Sequence, residues 1–348
     1  MRTAKRNWEY LENTLFFAHA LSVRSFILYN RVHRNRVKGM MKMADFMTHD
    51  LLGEQALAVF PAAAQRAAAL HPAVFRWGLQ GPDPLFFHKV YAGSPLHKLG
   101  NRLHEERTDA LFTVFSESVN RLTDESHDIA SAYFYGFLCH YALDSTIHPY
   151  VYYQEHECIR AMPGENASAI HCQIETDIDC ALYDRYKGDH LHLPTAAYQM
   201  NDQETAVVSV ILHHLIRCVL RVDVPTSELR PAFAEMLVCQ RLFYQGGRGL
   251  SRPARTVERL LGKDPLLTSH IKTGLPQWDA LNESHSPWRN LWNPDVVCTE
   301  SVIELFELAK DKAAELASSY AAQFDSGWML NLSYYEPFDN GNYRRQKP

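Results

Sequence analysis

The sequence predicts an all-α fold, a multi-helix bundle built around one core. Three observations lead there. Apolar residues recur at helical spacing in segments near 47–59, 101–121, 126–153, 165–187, 203–221, 228–245 and 298–324. Strand signals are scarce, and clusters carrying glycine or proline stand between the periodic stretches. With 348 residues, 46% of them hydrophobic, the chain is long enough to build one large core or two fused ones.

In chain order, the first forty residues stand apart. They hold eight Lys/Arg against Glu9 and Glu12, a charge of +6 that leaves −11 for the remainder of a chain at −5. The apolar patch Leu15–Leu28 is interrupted by His19, Ser22, Arg24 and Ser25, too short and too polar to span a bilayer. It ends in no small-residue cleavage site. The expectation is a cytoplasmic protein without export signal or transmembrane segment. Its parts are an N-terminal extension over 1–42, one helical domain over 43–340 and a tail over 341–348.

His49 sits at the start of the first helix, in MTHDLLG, and Asp83 in the turn GLQGPDP, 78–84. His88 and His97 follow, then His104 in LGNRLHEER. The segment AYFYGFLCHYALDSTIHPYVYY, 132–153, is an apolar and aromatic helix that Pro149 is expected to bend or end. The next helix carries IHCQIETDID, and loops are expected at Gly188–Pro194, Gly246–Pro253 and Gly274–Pro294. The last helix, Cys298 to Phe324, opens with Thr299 before an acidic first turn. It runs through Leu305, Leu308, Ala309 and Leu316 as a long amphipathic element. The seven cysteines are odd in number and form no CxxC pair, so free thiols are expected, not disulfides or metal ligands.

The chemistry concentrates in the middle third. His140, Asp144 and His148 are four apart, which puts three polar groups on one face of a largely buried helix. Buried imidazoles and a carboxylate need partners, and a metal ion supplies one for all three. His171 and Glu175 repeat the spacing on the following helix, with Asp179 one turn on. A lone histidine on such a helix is more often a hydrogen-bonded core residue. The joint pattern, preceded by an aspartate in a fixed turn, is one that packing alone gives no reason to assemble. Imidazoles and carboxylates without thiolates favour zinc over manganese or iron. No GxGxxG, Walker, GxSxG or paired CxxC pattern competes.

These motifs resemble the bacterial zinc-dependent phospholipases C, which are related in fold to fungal single-strand-specific nucleases. The match covers about residues 43–180. Echoes in LNESHSPWRNLWNP (281–294), the helix after it and NLSYYEPFD (331–339) look like the cytoplasmic branch of that family. The resemblance implies an all-helical fold around a cleft holding two or three zinc ions. By motif, Asp83, His104, His140 and Asp144 would hold the first, and His148, His171 and Glu175 the second. Asp144 would also bridge to a third, which His49 helps bind. His104 is preferred over His97 because LGNRLH fits the family pattern better, which leaves His97 and His88 as supporting or surface residues. The implied reaction is zinc-dependent hydrolysis of a phosphodiester or phospholipid, with Asp83 as general base.

In secreted members a newly exposed N-terminal tryptophan closes the third position. Here the match begins only at Met43, so residues 1–42 are expected to be either a poorly ordered extension or not translated, with initiation at Met43 in the second case. Loss of that methionine would leave the free amine of Ala44 to fill the position. A nuclease would interleave aromatics with a basic groove, which the charge of residues 41–348 disfavours. The remaining alternative is a non-catalytic helical protein whose metal cluster supports folding.

Overall fold

A computed structural model describes residues 46–90, 93–189, 193–260, 266–291 and 295–323. The expected extension over 1–42, Ala44, the motif at 331–339 and the tail at 341–348 lie outside the described residues.

The fold is all-α. Its helices are α1 (Phe46–Leu57), α2 (Ala62–Leu70), α3 (Pro72–Leu79), α4 (Pro84–Phe87), α5 (Pro95–Glu105), α6 (Thr108–Asn120), α7 (Asp124–Ala161) and α8 (Ala167–Lys187). A 3₁₀ turn, Thr195–Tyr198, leads to α9 (Asp202–Leu215), which runs into a π turn, Ile216–Leu220. Then come α10 (Thr226–Leu260), α11 (Leu266–Ser269) and α12 (Val302–Ala322). Two-residue strands, Trp288–Arg289 and Val297–Cys298, pair antiparallel before α12.

Helix α7 is the axis of the core. Every residue from Ile129 to Ser145 is buried, as befits a helix that is apolar nearly all round. Helices α3 and α12 make its most extensive contacts. The α3 crossing is backbone on backbone: a Cβ at Gly136 would lie 2.2 Å from the Phe75 carbonyl oxygen, and one at Gly78 would lie 2.4 Å from that of Tyr133. Only glycine permits that approach. It carries the turn after α3 directly over His140. On the α6 side, Phe115 meets Phe134 edge to face at 4.9 Å, an arrangement aromatic quadrupoles favour.

The ends of the helices follow from their caps. Capping boxes open α9 at Asn201/Glu204 and α12 at Ser301/Glu304, so the last helix begins at Ser301 and not at Thr299. Asn166 caps α8, which stops at left-handed Gly188 (φ 69°).

Three expectations need correction. Helix α7 does not end at Pro149 but continues to Ala161. Proline removes one intrahelical N–H, a local loss, while buried Ile147, Tyr150, Val151 and Tyr152 anchor the turns on either side. The stretch Gly246–Pro253 is not a loop: it lies within α10. There the helix is nucleated over a buried stripe, Leu229, Phe233, Met236, Gln240 and Tyr244, and each further residue adds one hydrogen bond, so scattered glycines do not break it. The segment 101–121 is two helices, parted where Arg107 takes a left-handed conformation (φ 54°).

By length and composition Asp202–Leu220 could cross a membrane, but half of it is buried in the fold, where α9 packs on α6, α7 and α10. The seven cysteines form no disulfides.

Candidate metal centre

Helix α7 brings His140, Asp144 and His148 into the core along one face, two turns from first to last. Four other elements meet that face. Helix α1 supplies His49, the turn after α3 supplies Asp83, α5 supplies His104, and α8 supplies His171 and Glu175. All eight side chains are buried.

They gather into three groups whose candidate ligand atoms lie within 4.8 Å of one another: His49, His140 and Asp144; Asp83, His104 and His140; and His148, His171 and Glu175. The first two share His140. Asp144 reaches across both, its Oδ1 lying 3.2 Å from His49 Nε2 and its Oδ2 lying 3.3 Å from His140 Nε2 and 3.7 Å from His104 Nε2. Asp83 Oδ1 is 3.2 Å from His104 Nε2. In the third group Glu175 Oε1 lies 3.2 Å from His148 Nε2 and 3.1 Å from His171 Nε2. One cavity is lined by members of the first and third groups, His49 and Asp144 on one side and His148 and Glu175 on the other.

The hydrogen bonds behind the imidazoles fix which nitrogen of each ring faces the groups. His104 Nδ1 lies 2.8 Å from the Gly100 carbonyl and His140 Nδ1 lies 3.2 Å from that of Leu79. A carbonyl can only accept, so each Nδ1 carries a hydrogen and Nε2 is the atom each ring turns forward, a lone pair there once the ring is neutral. Those two Nε2 atoms face each other at 3.3 Å. The oxygens Asp83 Oδ2, Asp144 Oδ2 and Glu175 Oε2 are buried and accept no hydrogen bond. So many buried acceptors crowded together are expensive unless a proton or a metal cation lies between them. The donor set, imidazole with carboxylate and no cysteine, fits zinc.

The proton affinities reflect the same crowding. Burial opposes charge on His104, yet hydrogen bonding and charge from Asp83, with Asp144 behind it, push the imidazole up to about 9. His171 also rises to about 9, burial again being overcome by Glu175 and Glu155. Burial holds His140 well below the usual range. Asp83 is raised, by burial first and by the Asp144 charge. Burial would raise Asp144 and Glu175, but the histidines around them hold the first far below its usual value and the second down at about 2. Protons on His104 and His171 thus stand where a metal's charge belongs.

The other histidines singled out in the sequence lie apart from the groups. His97 Nε2 is 2.8 Å from the His88 carbonyl, and His88 Nδ1 is 2.7 Å from Ser94 Oγ. Sequence reasoning missed Glu155, fully buried, whose Oε2 holds His171 Nδ1 at 2.9 Å. The signal was present: Glu155 lies seven residues past His148, on the same face of α7. It also missed His270, a buried imidazole stacked on Phe243 whose Nε2 has no hydrogen-bond partner. Burial lowers that ring to about 3. Gly81, in the turn that holds Asp83, has φ +50°, and a Cβ there would lie 2.2 Å from His140 Cδ2. The turn therefore requires glycine on two counts.

Fold and site together define a helical protein with a buried multi-histidine, multi-carboxylate centre, three groups of which could hold a metal ion. The chain belongs to the zinc dependent phospholipase C family, whose sequence model matches residues 48–222. No curated protein and no solved structure matches it.

Proposed function

We propose that this chain hydrolyses phosphodiester bonds, using two or three zinc ions and taking a phospholipid or a soluble phosphodiester as substrate. The observation that carries the reading is the pair of forward-facing Nε2 atoms of His104 and His140, 3.3 Å apart and flanked by buried carboxylate oxygens without donors. Asp83, His104, His140 and Asp144 would hold one ion and His148, His171 and Glu175 another, with His49 and Asp144 serving a third. Zinc bound there supplies polarisation of phosphate oxygens and a lowered pKa for water.

The chain's own residues do the rest. Asp83 accepts the proton of the attacking water at Oδ2, an oxygen that carries no hydrogen bond. The Gly100 and Leu79 carbonyls fix which nitrogen of His104 and His140 faces forward, and Glu155 does the same for His171. Burial of the donors keeps bulk water from screening the charges that meet the phosphate. We place the activity in the cytoplasm, which fractionation of the source cells tests.

A chromogenic phosphodiester tests the reaction. Asp83→Asn should lower kcat by about 10²–10⁴-fold, the usual worth of a general base, while circular dichroism shows the fold retained. Unchanged turnover in that variant removes Asp83 from the chemistry. A zinc-loaded wild type that cleaves no phosphodiester favours the non-catalytic alternative.

A further inference from the structure

Asp179 continues the α8 stripe one turn beyond Glu175, yet it does not resemble the carboxylates of the metal groups. Four donors satisfy it. The Thr48 backbone N–H and hydroxyl donate to Oδ1 at 2.6 and 2.9 Å, and the Tyr244 hydroxyl and Lys272 Nζ donate to Oδ2, each at 2.6 Å. Lys272 is only 4% exposed, and its ammonium lies 5.2 Å from the Tyr244 ring centroid. A buried ion pair is tolerated when other donors complete it, and here they do. Tyr244 and Lys272 both lie beyond residue 222, where the family match ends.

The consequence falls on His49, the residue after Thr48. His104, His140 and His171 are each held from behind through Nδ1. His49 is different, because its buried Nδ1 has no hydrogen-bond partner. Its ring is stacked on His140 at 4.5 Å and 24°, and its forward Nε2 meets Asp144 Oδ1 at 3.2 Å, so no side chain or carbonyl grips it from behind. Behind the ring its position is set by the backbone of α1, and Asp179 grips that backbone at the first turn, where helix N–H groups lack intrahelical partners.

We infer that Lys272, with Tyr244, locks Asp179 onto Thr48 and so positions His49 for the ion it shares with Asp144. Lys272 is a positioning residue and not a ligand. The clasp takes the place of the hydrogen bond that His49 lacks. The inference rests on the metal-centre reading above.

The test uses full-length protein loaded with zinc, as wild type, Lys272→Met, Lys272→Arg and Tyr244→Phe. Competition with a chelator gives the affinity of each ion, cobalt substitution reports the geometry of each site, and thermal melts report the fold. Lys272→Met should weaken one ion by about 10–100-fold, as loss of an outer partner does, and leave the others as in wild type. Lys272→Arg should restore it. Tyr244→Phe, which removes one hydroxyl donor and spares the ion pair, should weaken the same ion by roughly fivefold and covers the case in which Lys272→Met does not fold. Wild-type affinity for every ion in Lys272→Met, or equal weakening of all ions alongside a lower Tm, overturns the clasp. A wild type that takes up no zinc removes the centre itself, an outcome distinct from an intact centre indifferent to Lys272.

Discussion

The two ends of the metal centre are built differently. The second group, His148, His171 and Glu175, comes from consecutive helices, and one pair is four residues apart on α8. The groups around Asp144 draw on four separate elements, from His49 on α1 to Asp144 on α7, and depend on a glycine turn, a backbone-to-backbone helix crossing and a cap supplied from α8. The difference teaches where each end is vulnerable. The second depends on its own side chains, on Glu155 and on the register of two neighbouring helices. The first can be disturbed from a distance, by anything that moves a turn or a helix end.

The largest effect should come from Asp144→Asn, because one carboxylate faces His49, His140 and His104 together. That variant should lose the ions of the Asp144 groups and keep the His148 ion, read as zinc content after dialysis. Retention of every ion would make the two ends independent of Asp144 and end the comparison. Gly81→Ala comes next. It places a side chain at φ +50° and drives it into His140, so a destabilisation of at least about 1–2 kcal/mol is expected from the backbone alone, measured by urea unfolding. Zinc should be lost first from the Asp144 end.

Glu155→Gln sharpens the contrast from the other side. It should weaken only the His148 ion, by about 10–100-fold in chelator competition, and leave the Asp144 end unchanged. The smallest effect is one of pH. His104 and His171 sit near 9 in metal-free protein, above the ordinary histidine value, so the stability each contributes is fully present below about 6.5 and is lost as pH rises through about 9. Zinc must displace both protons, so its affinity should rise with pH over that same range. Metal-free protein should therefore lose stability across that window while zinc-loaded protein, whose ligand histidines carry no such proton, holds level, seen as diverging Tm values.

What could be read in the sequence follows the same division. His140, Asp144, His148, His171 and Glu175 were legible because helical periodicity turns a spacing of four into a shared face. Their closing up with His49, Asp83 and His104 depends on tertiary contacts that no local period encodes. That is also why the sequence could prefer His104 over His97 only on the family pattern LGNRLH, while the physical reason, His97 turning its Nε2 to the His88 carbonyl, lies in tertiary structure. The glycines of α10 misled in the opposite sense: punctuation is a local signal, and a helix already nucleated on a buried stripe overrides it. Lys272 and Tyr244 could not be found at all, since a lysine and a tyrosine in isolation carry no mark of the buried carboxylate they meet.

One further consequence belongs to α7. Because His140 and His148 ride on one uninterrupted helix, their separation along the axis is a ruler mark of about 12 Å, eight residues at 1.5 Å each. Substitutions between them can alter packing but cannot alter that interval. One inserted residue would swing His148 and Glu155 about 100° around the axis, away from α8. Over these eight positions the gene is free to change letters and not free to change their number.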